Sequence, residues 1–220
     1  MSWDNEFALS ILPLLLKGLG TTVFLTLTGM SIALVVGLVV AIIRRSRIPV
    51  VSRIFDFYVA FIRGTPLLVQ AYCAYFVLPS IGIQMDALPT GILVLGINYS
   101  AYTAEVYRSG IQEVPAGQWE AATALNLSKP VTWIRVVLPQ AVTSTVPMLG
   151  NYLILMFKDS AVLSAITVVE LLAVAQRLGS ANFRYLEPLT IAGLLFLTIS
   201  FIASNGVQLL ERRSDRLAAR

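Results

Sequence analysis

Five blocks of mostly apolar residues constrain the fold of this chain, because each is close to the length that crosses a lipid bilayer. A spanning helix needs about 20 residues, since each adds about 1.5 Å and the hydrocarbon core is about 30 Å thick. Charged residues make up 13% of the chain, whereas soluble domains carry about 25%. We therefore predict an all-α integral membrane protein, a single domain over 1–220 with five transmembrane helices at 18–43, 54–78, 90–107, 142–157 and 186–210.

The stretch before the first predicted span is apolar over residues 7–16 but short, and it contains Pro13. We expect it to lie at the membrane interface and to lead into the first span. The chain has Asp4 and Glu6 and no basic residue before Lys17, unlike a signal peptide. The first membrane segment is therefore expected to be retained.

Lysine and arginine are distributed unevenly between the two ends of the predicted spans, and such residues concentrate in cytoplasmic loops. One side holds Arg44, Arg45, Arg47, Arg53, Arg108, Lys129, Arg135, Arg212, Arg213, Arg216 and Arg220. The other side holds Lys17, Lys158, Arg177 and Arg184. The bias predicts an N-terminus outside and a C-terminus in the cytoplasm, and it explains the net charge of +4 without nucleic acid binding.

Residue types that are rare or missing exclude several kinds of chemistry. The chain has one cysteine and no histidine, which excludes an internal disulfide, Cys/His metal sites and histidine-based catalytic triads. It also lacks the G-x-x-x-x-G-K-[ST] motif whose backbone N–H groups cradle nucleotide phosphates. Any step that requires energy must therefore draw on a partner protein or on an ion gradient.

Between the third and fourth predicted spans lies an amphipathic insert, EAATALNLSKPVTWIRVVLPQA, from Glu120 to Ala141. Its apolar residues recur at helical spacing on both sides of an interruption at Asn126. Ser128 suits a helix N-cap, and Pro130 suits a first helical turn. Residues 109–140 are predicted to form a cytoplasmic loop of two short helices, which either couples to a partner or covers the end of the bundle.

Residues 158–185 do not resemble an ordinary loop, because an apolar centre too short for a sixth span is flanked by polar ends. Such a segment is typical of a re-entrant or extracytoplasmic helix that closes one end of a helical bundle. A simple surface helix is the alternative, and the sequence leaves both open.

Ionisable side chains at membrane depth are energetically costly and usually functional. Lys158 and Asp159 lie about 25 Å along the fourth predicted helix from its start near Val142, at 1.5 Å per residue. Lys158 suits a carboxylate and Asp159 a cationic nitrogen, so together they can recognise a zwitterion. An internal salt bridge between the two is the alternative. Glu105, in the third predicted span, is a further candidate ligand.

Uncharged polar side chains complete the predicted substrate site, and they are Asn98, Tyr99, Tyr102, Asn151, Tyr152 and Ser160. Tyrosine and asparagine also make interhelical contacts in membrane bundles, which is their alternative role. Arg63 precedes Gly64 and Pro66, which are expected to kink the second span. We expect Arg63 to bond to backbone or to an acid rather than to substrate.

Several motifs follow one another along nearly the whole chain. They are F-I-R-G-T-P-L-L-V-Q at 61–70, Y-T-A-E-V-Y-R-S-G-I at 102–111, V-P-A-G-Q at 114–118, E-A-A at 120–122, I-R-V-V-L-P at 134–139 and F-K-D-S at 157–160. With these motifs the chain resembles permeases of ABC importers, in the branch that transports polar amino acids. The stretches A-L-N-L at 124–127 and R-Y-L-E-P-L-T at 184–190 are most similar to permeases for ectoine and hydroxyectoine uptake.

The resemblance implies a MetI-like ABC permease fold in the bacterial inner membrane, with a cytoplasmic helical EAA loop. In that family two permease subunits form the pathway, two ATPase subunits bind ATP and Mg²⁺ beneath them, and an external binding protein delivers solute. The chain itself is expected to bind no cofactor and no metal.

The residues implied to couple to the ATPase are Glu120, Ala121, Ala122, Asn126 and Arg135. Arg135 is equally well explained as a solvated surface residue. The family has glycine at the turn where this chain has Asn126. Asparagine is the residue that, after glycine, best tolerates a left-handed backbone, so the turn is expected to be intact.

The predicted function is ATP-driven import of a polar amino acid or a related zwitterion such as ectoine, with this chain as a non-catalytic permease. An ion-coupled secondary transporter or channel is the alternative, which five spans without a visible inverted repeat disfavour. A membrane enzyme is a more distant alternative, since no nucleophile, metal cluster or cofactor motif accompanies Glu105 or Asp159.

Overall fold

The structure, a computed structural model, contains helices and no strands within the residues that it describes, 3–46 and 48–218. The side chains of residue 210 and residues 212–218 are outside this description, as are Arg47 and Arg220, so part of the basic set used for orientation is not described. The α-helices are α1 (Asn5–Arg44), α2 (Pro49–Gly64), α3 (Leu67–Tyr72), α4 (Ala87–Gln112), α5 (Ala116–Ala124), α6 (Lys129–Thr132), α7 (Leu138–Asp159), α8 (Leu171–Asn182) and α9 (Leu186–Ala218). Short turns of π- or 3₁₀-helix lie at Cys73–Val77, Leu78–Ile81, Trp133–Val137 and Ser160–Ile166.

Helix α1 is longer than predicted and continues without a break to Arg44. Asp4 caps its N-terminus, because the carboxylate accepts two backbone N–H groups of the first turn at 3.0 and 3.2 Å. Residues 7–16 continue into the first predicted span without a break, since Pro13 lies inside this helix, and their position at the membrane interface stays a prediction. At 1.5 Å per residue α1 is about 60 Å long, which is about twice the hydrocarbon thickness.

The second predicted span, 54–78, is broken after Gly64, and the helix that resumes at Leu67 is bent by 103°. Pro66 has no backbone N–H, and a residue before proline is pushed out of the helical conformation. Thr65 accordingly has φ −112° and ψ 138°, which is extended backbone. The predicted kink is confirmed, but as a right-angled break, and we call residues 64–66 the elbow.

Helix α4 is the centre of the bundle and packs along α1, α2 and α7. The contact with α1 is close because a Cβ on Gly37 would meet Thr103 Oγ1 at 2.0 Å. The Thr103 hydroxyl donates to the carbonyl of Ala33 at 2.8 Å, which ties the two helices together. The core at this contact includes Leu25, Ala33, Leu95, Tyr99 and Met156.

The predicted turn at Asn126 is present as a Schellman motif at the end of α5. Asn126 has φ 53°, the left-handed backbone that the sequence predicts. Its N–H bonds to the carbonyl of Thr123 at 2.9 Å, and the N–H of Leu127 bonds to the carbonyl of Ala122 at 3.0 Å. Ser128 lies at the N-cap of α6, although its side chain makes no capping hydrogen bond.

The second helix of the hairpin continues into the membrane. Helix α6, the π-helical turn at Trp133–Val137 and α7 follow one another without a break as far as Asp159. The helix that contains the fourth predicted span therefore begins before residue 142, and the point where it enters the membrane stays a prediction. Pro139 lies in the first turn of α7, where its missing N–H is tolerated, so it does not end the helix.

The segment 158–185 contains the 3₁₀ turn at Ser160–Ile166 and α8, which packs against α1 and α9. Leu171 and Ala175 of α8 are fully buried against the first turns of α1. This buried face disfavours a simple surface helix, and the role of the segment as a gate stays a prediction.

Three helices of the described chain are long and apolar enough to cross a membrane, Asn5–Arg44, Lys129–Ile166 and Leu186–Leu209. The bent α2–α3 pair is a fourth if it crosses as one span. Helix α4 has 26 residues but is more polar. It tolerates these polar groups because it lies between other helices, where the groups face protein rather than lipid. The predicted number of five spans is not confirmed, whereas the all-helical fold is.

Candidate functional site

A cavity of about 440 Å³ lies between the elbow, α4 and α7. This volume is in the range of pockets that enclose small molecules. Its polar lining consists of Arg63, Thr65, Asn98, Tyr99, Tyr102, Tyr152 and Asp159. Five of the nine residues predicted for the substrate site therefore line one cavity.

Asp159, at the end of α7, presents a carboxylate to this cavity that is held by a neutral donor. The Tyr99 hydroxyl donates to Asp159 Oδ2 at 2.6 Å, and Tyr99 itself is 1% exposed. No lysine or arginine whose side chain the structure describes pairs with Asp159, including its neighbour Lys158. The carboxylate is thus fixed in position by a neutral donor and has no cationic partner among the described side chains.

Arg63 faces the same cavity from the elbow. Its guanidinium lies 5.4 Å from the centre of the Tyr102 ring, and the described part of the chain shows no hydrogen bond or ion pair to it. The expected bond to backbone or to an acid is therefore not observed. Arg63 is not among the residues that the sequence assigns to the substrate site. An arginine next to a helix break within a predicted span is nevertheless a pattern that indicates a functional charge.

Three tyrosine rings form the floor between these two charged groups. Tyr99, Tyr102 and Tyr152 pack against one another with ring centres between 5.5 and 6.3 Å apart. Aromatic faces attract cations and also provide apolar surface. The floor therefore accommodates either a cationic or an apolar part of a solute.

Three other predicted ligands lie elsewhere. Lys158 and Asn151 line an adjacent cavity of about 400 Å³, which shares part of one wall with the first. Ser160 is fully buried, and its hydroxyl donates to the carbonyl three residues earlier at 2.7 Å. Lys158 and Asp159 thus face different cavities although they are neighbours in sequence.

Glu105, the remaining predicted ligand, lines neither cavity and belongs to an ion-pair cluster at one end of α1, α2 and α4. Arg44 Nη1 lies 2.5 Å from Glu105 Oε1, and Arg108 Nη2 lies 2.6 Å from Glu105 Oε2. Arg44 Nε also bonds Asp56 at 2.7 Å. Both carboxylate oxygens of Glu105 are occupied, so the cluster joins three helices.

The tip of the hairpin is exposed. The predicted coupling residues on its surface are Glu120, Ala121, Asn126 and Arg135. Ala122 is 3% exposed and packs inward, whereas Leu125 and Ile134 are 72% and 65% exposed. Charged and apolar side chains are therefore exposed next to one another at the tip of the hairpin.

The base of the hairpin is attached to the bundle through aromatic side chains. Trp133 lies edge-on to Trp119 with ring centres 5.4 Å apart, and the Arg45 guanidinium is 5.1 Å from the centre of the Trp133 ring. Val114 and Val137 are buried beside them. The hairpin is thus in contact with the end of α1 as well as with its own flanking helices.

Glu170 is a buried carboxyl between the 3₁₀ turn and α8. It caps α8 by accepting the N–H groups of Leu172 at 2.8 Å and Ala173 at 2.7 Å. Thr22 of α1 donates to Glu170 at 3.5 Å and accepts the N–H of Leu171 at 3.1 Å. Burial raises the pKa of Glu170 to about 7, although these hydrogen bonds lower it.

Comparison with known proteins identifies similar chains. Residues 33–216 match the family described as binding-protein-dependent transport system inner membrane component. The chain is 44% identical over 215 residues to the probable amino-acid ABC transporter permease protein y4tG of Sinorhizobium fredii, covering 96% of this chain and 93% of that protein. It is 34% identical over 212 residues to the L-cystine transport system permease protein TcyB of Bacillus subtilis, covering 96% and 91%.

A solved structure of an amino acid ABC transporter with histidines superposes with a TM-score of 0.93 at 36% identity, covering 97% of this chain and 100% of the other. The MetNI methionine ABC transporter in an inward-facing conformation superposes with a TM-score of 0.75 at 20% identity, covering 93% and 98%. The second likeness concerns the fold.

Proposed function

The chain belongs to the family of binding-protein-dependent transport system inner membrane components, and on this premise we propose how it recognises and moves its solute. It is a multi-pass inner-membrane permease subunit of an amino-acid ABC importer and is not itself an enzyme. The solute is a zwitterion that binds in the 440 Å³ cavity, with its ammonium on Asp159 and its carboxylate on Arg63.

The observation that carries this proposal is the pair of opposite charges on one cavity. Asp159 receives a hydrogen bond from a phenol, and the contact of Arg63 is a tyrosine ring. Charges at membrane depth are costly unless they gain a partner. A solute with both an ammonium and a carboxylate supplies the partner to each, and a solute with a single charge supplies only one.

The identity of the zwitterion is a finer proposal. Relatives of this chain are named for L-cystine, arginine, nopaline and octopine. The stretches at 124–127 and 184–190 support ectoine or hydroxyectoine instead. Ectoine carries a delocalised cation and a carboxylate, so the same two charges suit it. The first selection belongs to the external binding protein, and the cavity accepts what that protein delivers.

The energy of ATP hydrolysis reaches the permease through the hairpin at 109–140. We place the N-terminus outside and the C-terminus and hairpin in the cytoplasm, where an ATPase dimer that binds ATP and Mg²⁺ contacts Glu120, Ala121, Ala122, Asn126 and Arg135. A second permease subunit completes the pathway. The exposed Leu125 and Ile134 support a docking role, because exposed apolar side chains on a polar loop are typical of interaction sites.

The coupling proposal is tested by Glu120→Lys. We expect this change to release the ATPase from the purified complex while the unfolding temperature of the permease stays the same, because Glu120 is exposed. Glu113→Lys, an exposed charge reversal at the end of α4, is the matched control. ATPase retention by Glu120→Lys equal to that of Glu113→Lys contradicts the docking role.

The transport proposal is tested by reconstituting the permease with its ATPase, a second permease subunit and the binding protein in proteoliposomes. Uptake of labelled arginine, cystine and ectoine is measured with and without internal ATP. We expect ATP-dependent uptake of at least one zwitterion and no uptake of agmatine, which is arginine without its carboxylate. Uptake driven by a proton or sodium gradient without the ATPase would falsify the importer mechanism.

A further inference from the structure

The elbow leaves carbonyl groups at the end of α2 without helical partners. In an unbroken helix the N–H of residue 66 bonds to the carbonyl of Ile62, four residues earlier. Pro66 has no N–H to donate. Ile62 is 8% exposed, and a buried carbonyl without a partner is destabilising. Another donor is therefore needed at this position.

Gln70 supplies that donor from the far side of the elbow. Its Nε2 lies 2.9 Å from the carbonyl oxygen of Ile62, closer than the Thr65 hydroxyl, which donates to the same oxygen at 3.4 Å. The same nitrogen lies 2.7 Å from Thr65 Oγ1 and 3.2 Å from the carbonyl oxygen of Thr65. One side-chain amide thus replaces the bond that Pro66 removes and fastens α3 to the end of α2.

The oxygen of the same amide reaches the cavity wall. Asn98 Nδ2 donates to Gln70 Oε1 at 3.1 Å, and Asn98 is 5% exposed and lines the cavity. Gln70 itself is not a lining residue. Its nitrogen faces acceptors and its oxygen faces a donor, so the amide is satisfied at both ends and links the elbow to α4.

We propose that Gln70 is a positioning residue for solute binding. It fixes the angle of the elbow and thereby the separation of Arg63 from Asn98 and Asp159 across the cavity. Arg63 directly precedes Gly64, so a change in the elbow angle moves its guanidinium relative to α4 and α7. The effect on binding rests on the zwitterion site proposed above, whereas the geometry of the elbow is measurable without solute.

Two substitutions separate the functions of the amide. Gln70→Met removes the donor and the acceptor at similar volume. Gln70→Glu keeps an acceptor for Asn98 but cannot donate to Ile62 or Thr65. Gln84→Met, in the exposed loop before α4, is the matched control.

Three measurements are made on the complete transport complex. Spin labels on Cys73, which is exposed and is the single cysteine of the chain, and on Phe57→Cys, at a position 71% exposed, report the distance across the elbow. Uptake kinetics report KM, and basal ATP hydrolysis reports whether the complex is assembled and active. The distance is recorded in the absence of solute.

We expect both Gln70 variants to broaden the distance distribution, because each loses the donor to Ile62. In Gln70→Met, KM for uptake rises about tenfold while basal ATP hydrolysis stays at the wild-type rate, which separates positioning from assembly. Gln84→Met changes neither quantity. If Gln70→Met does not fold, Gln70→Glu decides the question by the same two readouts.

A narrow, wild-type distance distribution in the Gln70 variants overturns the proposal, and so does a broadened distribution with unchanged KM. Failure of the wild-type complex to take up any zwitterion contradicts the proposed function instead. In that case the distance measurement still tests whether Gln70 holds the elbow.

Discussion

Glu105 of α4 and Asp159 of α7 carry the same charge on adjacent helices, but their partners differ. Each oxygen of Glu105 lies within 2.6 Å of an arginine nitrogen. Asp159 receives one hydrogen bond from the phenol of Tyr99. The difference teaches that the role of a carboxylate in this bundle follows from its partners. A carboxylate that cations of the same chain neutralise stabilises the helices, whereas one held by a neutral donor beside a cavity is available to a cationic solute.

The expectation that charges within predicted spans are functional does not separate these two residues. The rule that intramembrane charges are functional selects both of them. Helix packing decides, because α1 brings Arg44 to Glu105 across 61 positions in sequence. The four predictions below test this comparison, from the largest expected effect to the smallest.

Asp159→Asn removes the charge that faces the cavity. We expect kcat/KM for uptake to fall about 10- to 150-fold, because a hydrogen bond to a charged group contributes about 1.5–3 kcal/mol. The unfolding temperature should change little, since the amide still accepts the Tyr99 hydroxyl. Asp86→Asn, at an exposed position before α4, is the control. Equal uptake by the two variants contradicts the assignment of Asp159.

Glu105→Gln leaves Arg44 and Arg108 without their shared anion. We expect the unfolding temperature to fall by roughly 2–8 °C, corresponding to about 1–2 kcal/mol, because the Arg108 side of the cluster is partly screened by solvent. KM for uptake should stay near the wild-type value. Thermal unfolding in detergent and uptake kinetics measure the two quantities, with Glu113→Gln as control. A large rise in KM without a lower unfolding temperature would indicate that Glu105 acts in solute binding and not in holding the helices together.

Glu170 extends the comparison to a carboxyl that is fully buried and has no cation beside it in the described chain. Its pKa of about 7 is above the ordinary value of 4.5, so the folded state binds the proton more tightly than the unfolded state. Stability that protonation contributes is therefore lost as the pH rises from about 4.5 to about 7.

The corresponding variant is Glu170→Gln, which does not titrate. Between about pH 5 and about pH 8 the unfolding temperature of the wild type should fall by several degrees more than that of Glu170→Gln, since a pKa raised from 4.5 to about 7 corresponds to at most about 3 kcal/mol. Thermal unfolding at several pH values measures this. Identical pH dependence in the two proteins excludes Glu170 as the titrating group.

Asn126→Gly is expected to have the smallest effect of the four substitutions, because Asn126 contacts neither Glu105 nor Asp159. The residue already has a left-handed φ of 53°, which glycine adopts freely. Glycine relieves the backbone strain of the folded state, which is stabilising, but it also gives the unfolded chain more conformational freedom, which is destabilising. Because these effects oppose each other, the free energy of unfolding should change by less than about 0.5 kcal/mol. Uptake and unfolding temperature should match the wild type, while Asn126→Val, with a β-branched side chain, should lower the unfolding temperature.

Local patterns in the sequence predict local structure well. The Schellman turn at Asn126 and the break at Gly64–Pro66 follow from the backbone preferences of a few neighbouring residues, and both are present. The five residues that share the cavity were identified because polar side chains on apolar helices are conspicuous. Helices α1 and α7 begin before the corresponding predicted spans, because Pro13 and Pro139 are tolerated in continuous helices.

Long-range pairing was not predictable from spacing. The partners of Glu105 lie on α1 and within α4, and nothing near Glu105 in sequence indicates Arg44. The position of Arg63 depends on the angle between α2 and α3. The proline predicts that the helix breaks there, but it does not predict this angle. Lys158 was grouped with Asp159 as a neighbour in sequence, although successive residues of a helix point about 100° apart and these two face different cavities.

The continuity of α6 and α7 has a mechanical consequence. From Lys129 to Asp159 the chain is one continuous helical rod, with a π-helical turn at Trp133–Val137 and Pro147 inside α7. At 1.5 Å per residue the rod is about 45 Å long, so a tilt of about 10° around its midpoint displaces each end by about 4 Å. A tilt caused by the proposed ATPase contact would therefore also displace Asp159 at the other end of the rod, whose partner Tyr99 lies on a different helix, α4.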